Sequence, residues 1–327
     1  MPGRETGPAT PGGGAMPELS PAPVVAPLEA PSPAQARRGL LVVALGVLVF
    51  TPDALAMRMS GLDAFALATL RGLFGGTVLT LGCLLVFGRG LPRAILGLGR
   101  WGLALAALEA ATTVLFTVSI MWTSVANAML AFAATPMLAA LMARAFLGER
   151  IAPQTAAAIA ATAAGLALVA AGAWGEGAAS LTGIAAGVLS AFCIASFFVI
   201  LRRLKAASAT PMIGPGWLLG GLIALPFASF GPTEPSQIAW AFASGGIIMP
   251  AAIALISWGS RRLPAAETSM LTLLEVVTGP ILVWAVLGEN PGAWTLAGGA
   301  VVLSALAAHA AWRWRAAPAP SPAEAPA

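Results

Sequence analysis

Long, nearly unbroken apolar runs recur along this chain, separated by short polar connections. Ten such runs fall at 39–57, 64–87, 102–121, 125–146, 154–173, 181–201, 212–230, 237–258, 265–286 and 293–312. Each has about the 20 residues that an α-helix needs to cross the hydrocarbon of a bilayer. None shows the alternation of a membrane β-strand, and lipid offers an open backbone no hydrogen-bond partners, so each run reads as a helix. The flanks differ. Residues 1–38 and 316–327 are rich in Pro, Ala, Gly and Ser without periodicity, and read as disordered cytoplasmic tails. The first apolar run begins late and is followed by many others, which predicts a retained helix rather than a cleaved signal.

Composition sharpens this picture. Hydrophobic residues make up 58% of the chain and charged ones only 9%, where a soluble domain would carry about a quarter charged. The mean hydropathy is +0.88, so the solvent is lipid. The net charge of +4 would suggest nucleic-acid binding in a soluble protein, but its placement points elsewhere. With the N-terminus inside, every Lys and Arg except Arg58 and Arg71 lies in an inner loop, in a tail or within a turn of one. The loops at 174–180, 231–236 and 287–292 carry none. This positive-inside bias supports ten spans with both termini cytoplasmic. Trp101, Trp122, Trp174 and Trp258 lie near segment ends, where an amphipathic ring favours the interface.

The two halves share a pattern. Leu147-Gly148-Glu149 closes the fourth helix, and Leu287-Gly288-Glu289 closes the ninth, 140 positions later. Because each half holds an odd number of helices, the second must be inserted upside down. Inverted repeats are an architecture of secondary transporters, in which one unit in two orientations supplies two conformations open to opposite sides. The expected fold is therefore all-α and polytopic, with ten transmembrane helices in two inverted five-helix repeats, 39–173 and 181–312.

At this point the chain resembles the drug/metabolite transporter superfamily, specifically its EamA-type ten-helix permeases. The resemblance covers 39–312. It is carried by the five-plus-five arrangement, Arg71 in the second helix, Pro136 followed by LGER at 147–150, LLE at 273–275 and LGE at 287–289. One position departs: Val276 follows Glu275 where the family's second half usually carries Pro, and Pro280 comes four residues later. The resemblance implies export of a small metabolite or amino acid by alternating access, through a cavity lined mainly by helices one to four and six to nine. It does not name the substrate.

Charges within the apolar runs are the candidates for chemistry, since each costs about 2.5–3.5 kcal/mol at mid-membrane on insertion scales. Asp53 and Arg71 both lie roughly 6–11 Å below the outer surface at 1.5 Å per residue, placed to pair if their helices touch. They read either as an outer-half gate or an anion-attracting arginine, or as a fixed ion pair or side chains snorkelling to nearby headgroups. Pro52 is expected to kink the first helix just ahead of Asp53. Glu275, near the middle of the ninth helix, is either a proton-carrying or cation-binding carboxylate or a hydrogen-bonded structural one. Glu109 in the third helix is divided in the same way, with Thr112 and Thr113 as hydrogen-bonding neighbours. Glu149 and Glu289 read as structural, pairing with the adjacent Arg150 or capping their turns.

Several classes find no support. No GxxxxGK[ST] phosphate loop, HExxH or Asp-rich prenyl-diphosphate motif is present. One His and two Cys at unrelated spacings predict no metal and no cofactor. The reading is thus a bacterial inner-membrane permease and not an enzyme. Its partners are a small-molecule substrate and the lipid bilayer, with no nucleic acid, as a monomer or homodimer. Drug or cation efflux by proton antiport is the alternative within transport, and a non-transporting sensor or scaffold is the alternative outside it.

Overall fold

In a computed structural model the chain is described over residues 33–204, 210–260, 262, 263 and 265–316. The expected tails lie outside these residues apart from their inner edges, as do Arg4, Lys205 and Arg261. At one such edge the expectation needs correction. The first helix begins at Pro33, six residues inside the predicted tail. Proline suits the first turn of a helix, where its missing N–H costs nothing, and the Ala, Gln and Arg residues that follow are good helix formers.

The first span is broken into α1 (Pro33–Phe50) and α2 (Asp53–Ser60), and α3 (Ala64–Phe87) is the second. A short α4 (Leu91–Leu96) precedes the third span, α5 (Gly99–Trp122). The fourth is α6 (Val125–Phe132) followed by α7 (Thr135–Leu147), the fifth α8 (Pro153–Ala173) and the sixth α9 (Ala178–Leu204). Then come α10 (Thr210–Ala224), α11 (Pro235–Phe242) and α12 (Met249–Ser260) joined by a π-helical segment Ala243–Ile248, α13 (Ala265–Leu287) and α14 (Ala293–Ala316). Among the described residues nine spans are long and apolar enough to cross a membrane, and α13, apolar over Leu274–Leu287, supplies the tenth helix. It runs unbroken past Val276 and through Pro280.

Large apolar side chains face outward, as lipid requires: Leu85 is 88% and Leu103 75% exposed. The packing partners display the repeat. The second span packs on the seventh and the fifth on the tenth, while the first packs on the eighth as the sixth packs on the third. Advancing every number by five maps this set of pairs onto itself, which is the signature of two equivalent halves. Contacts also define two ends. One is poor in arginine and holds the 61–63, 123–124 and 288–292 turns; the other holds the arginine-bearing turns.

Two local breaks position the charges. Pro52 does more than kink the first span. Lacking an N–H, it ends α1, so that the last bond of α1 runs from Thr51 N to Val47 O (2.9 Å) and the next starts with Ala56 N to Pro52 O (2.9 Å). Asp53 thereby stands in the first turn of α2, where a helix N-terminus favours negative charge. The second break is the π-helical segment in the eighth span, which carries Ser244 and Gly245. A Cβ on Gly245 would lie 2.6 Å from Arg71 Cα, so only glycine lets the eighth span approach α3 at this level.

Candidate functional site

The structure joins Asp53 and Arg71. Arg71 Nη2 donates to Asp53 Oδ2 at 3.0 Å, and both side chains are buried. Ser244 completes a closed triangle: its hydroxyl donates to Asp53 Oδ1 (2.6 Å) and accepts from Arg71 Nη1 (2.7 Å). Arg71 Nη2 also reaches Met249 Sδ at 3.3 Å. Three spans from both halves therefore meet at one ion pair, and the cost of burying each charge is offset by its partner and by a hydroxyl.

Glu275 stands on α13, which packs on both halves of the broken first span that carries Asp53. Its side chain is part-buried, and among the described residues none donates a hydrogen bond to its carboxyl group or pairs with it. One turn further along α13, Thr278 Oγ1 meets Thr51 Oγ1 at 3.0 Å, tying the break in the first span to the ninth. Asp53 is already engaged by Arg71 and Ser244, so among the described residues Glu275 is the carboxylate here that no cation holds.

Glu109 is elsewhere. It is buried on α5 against α10, where Trp217 Nε1 donates to its Oε2 at 3.1 Å. The expected threonine partners do not serve it. Thr112 and Thr113 donate to the backbone carbonyls of Leu108 and Glu109 at 2.8 and 2.9 Å, the usual i−4 bond of a helical threonine. The Trp217 ring also packs against Gly75, one turn from Arg71, so Glu109 and the Asp53–Arg71 pair flank a shared wall.

Glu289 corrects a further expectation. It pairs with Arg58, Nε to Oε2 at 3.2 Å and Nη2 to Oε1 at 3.3 Å, and it accepts from the backbone N–H of Val125 at 2.6 Å. It thus bridges two other spans, capping the start of α6 instead of its own turn. Arg58 also donates to Thr123 O at 2.6 Å. Sequence reasoning passed over Ser244, Met249 and Trp217, which carry no mark in sequence. The Arg58–Glu289 pair had a signal: an arginine and a carboxylate at the same arginine-poor end.

A bundle of long apolar helices in two inverted halves, with an ion pair and two further carboxylates within it, is that of a polytopic membrane protein. The chain belongs to the EamA-like transporter family, whose model matches residues 37–171 and 181–309. It is a multi-pass membrane transporter of the drug/metabolite type, from a family of transporters and not of enzymes. No curated protein sequence matches the chain. A solved structure described only as "Crystal structure of protein" superposes with a TM-score of 0.58 at 20% identity, over 87% of this chain and 99% of that one. At that identity the likeness concerns the fold alone.

Proposed function

We propose that the protein is a bacterial inner-membrane permease that exports a small metabolite or amino acid by alternating access. The positive-inside bias supports an orientation with the arginine-rich end and both termini in the cytoplasm. Glu275 is the observation that carries this reading. It is a part-buried carboxylate in the middle of a span, with no hydrogen-bond or ion-pair partner among the described residues, on a helix packed against the span whose Asp53 Arg71 already neutralises. A membrane-embedded carboxylate without a partner is a functional group by default. Here it carries the coupling proton and meets the ammonium group of the substrate as the halves rock, while Asp53 and Arg71 form the wall beside it and Glu109 stands further along the pathway. A substrate gradient or a proton gradient drives the cycle.

Drug or cation efflux is the second reading. It is favoured by the pairing of Arg71 with Asp53, which leaves Glu275 without a cation among the described residues and the site a net acceptor of positive charge.

Counterflow of labelled amino acids in proteoliposomes, at pH 6 and pH 8, tests the proposal with wild type and Glu275→Gln. Saturable uptake whose pH dependence disappears in the variant is the expected result. Uptake that Glu275→Gln leaves unchanged at both pH values removes Glu275 from coupling. No flux for any compound from folded protein turns the reading toward a sensor or scaffold.

A further inference from the structure

At the arginine-poor end a single corner of the chain is held by two opposite charges. The corner is the turn between α5 and α6. Arg58, from the first span, donates to the carbonyl oxygens of Thr123 at 2.6 Å and Met121 at 3.5 Å, the end of α5 where exposed carbonyls concentrate negative potential. Glu289, from the turn after the ninth span, accepts from Val125 N–H at 2.6 Å, the end of α6 where free amides concentrate positive potential. The two side chains then pair with each other through two N–O contacts. Each charge is matched both to a helix end and to the other charge, and the first, third, fourth and ninth spans are drawn together at one point.

Next to this clamp lies an apolar plug built from the same four spans and the second: Met57, Leu67, Phe116, Ile120, Met129 and Val283, all buried and clustered with Val125. Clamp and plug together close the arginine-poor end above Glu275. Transport by alternating access requires each end to open in turn, and a closure made of charges at the water boundary can exchange its partners for water as it opens.

We propose that Arg58 and Glu289, clasping the α5–α6 corner, are the gate of the arginine-poor face: closed in this structure and parted once in every transport cycle. This rests on the permease reading, and it adds to the pathway two residues that the buried cluster does not include. Opening separates the ninth span and its following turn from the first and fourth spans, exposing the level of Thr278 and Glu275 to the outside.

The test reads accessibility, so it does not depend on knowing the substrate. Thr278→Cys is introduced with Cys83→Ala and Cys193→Ala, and a membrane-impermeant methanethiosulfonate reagent is added from outside to reconstituted protein. With the gate intact, modification is slow. Glu289→Ala, which removes both the pair and the cap on α6, raises the rate about tenfold, within the usual range for releasing one coupling interaction. Arg58→Ala does the same, and Arg58→Lys, which keeps the charge, gives an intermediate rate. Rates within twofold of the parent in both alanine variants overturn the proposal. As a second measurement, Arg58→Cys/Glu289→Cys, again with Cys83→Ala and Cys193→Ala, is closed with a short bis-methanethiosulfonate, which links the two thiols through disulfides that a reductant cleaves. Thr278 is kept native in this variant, and amino-acid counterflow is the readout. Cross-linking abolishes counterflow and reduction restores it. Cross-linked protein that transports at the uncross-linked rate refutes the gate, whereas a parent protein without flux refutes the permease reading instead and leaves the accessibility result to decide the gate.

Discussion

Two arginine–carboxylate pairs of nearly the same length, Arg71–Asp53 and Arg58–Glu289, are set in different surroundings. Arg71 and Asp53 meet at 3.0 Å with side chains only 1% and 4% exposed, sealed by Ser244 and Met249. Arg58 and Glu289 meet at 3.2 Å with side chains 21% and 25% exposed, at the end of the bundle where water begins. Distance alone would rank them as equals, but the medium separates them. Inside the bundle, parting the charges would strand each in a low-dielectric setting, so the inner pair holds as a unit. At the rim, water can take over each partner, so the outer pair can open and close. The same chemistry thus serves as a pin in one place and as a latch in the other.

The sharpest way to break this comparison is to remove one charge from the pin. Arg71→Gln leaves Asp53 buried without its cation, and is expected to cost about 3–5 kcal/mol of stability. Thermal unfolding in detergent reads the loss. Adding Asp53→Asn to Arg71→Gln should recover part of it, because no charge then remains unpaired. If the double variant is as damaged as the sum of the two singles, the pair is not acting as a unit and the contrast with the rim pair collapses.

The pin was half legible in the sequence, and the reason is instructive. Asp53 and Arg71 are 18 positions apart on neighbouring helices, at similar depth, so 1.5 Å per residue sufficed to align them. Ser244 reaches the same pair from 191 positions away, and a serine in an apolar helix gives no sign of its partner. Its position follows from a π-helical segment, which apolar periodicity does not reveal. Trp217 was hidden for a similar reason: it reads as an interfacial or core ring until the seventh span is packed on the third. Thr112 and Thr113 lie three and four positions beyond Glu109, on its side of the helix, but their hydroxyls are taken up by the i−4 carbonyls and Trp217 serves the carboxyl group instead. Arg58 was visible as an exception to the charge bias and Glu289 as a repeat landmark. What sequence could not supply was the corner between α5 and α6 that brings them together. The spans themselves were legible because lipid imposes a length and a composition on every one of them.

A smaller effect comes from the backbone that frames the pin. Gly245→Ala places a methyl group 2.6 Å from Arg71 Cα, against backbone that cannot rotate away. Overpacking of this kind costs about 1–3 kcal/mol, and thermal unfolding again provides the measurement. The loss should exceed that of Gly82→Ala on the same α3, where a Cβ meets nothing within 4 Å. Equal losses at the two positions would mean that the eighth span does not need its close approach to hold Ser244 on the pair.

The smallest effect discriminates most finely between pin and latch. Arg58→Gln is expected to cost no more than about 1 kcal/mol, as partly exposed pairs generally do. Raising the salt from 0.1 M to 1 M shortens the screening length from about 10 Å to about 3 Å, and ions reach the rim pair through water while the inner pair is shielded by protein. The difference in stability between wild type and Arg58→Gln should therefore shrink at high salt, and the difference for Arg71→Gln should not. Comparing each variant with wild type at the same salt removes the general influence of salt on the bundle. A rim difference that persists at 1 M would assign its strength to the bonds from Arg58 to the Thr123 and Met121 carbonyls, which Gln can replace only in part. In that case Arg58 would stay docked on α5 while Glu289 alone departs, and the opening movement would belong to the ninth span rather than to the first.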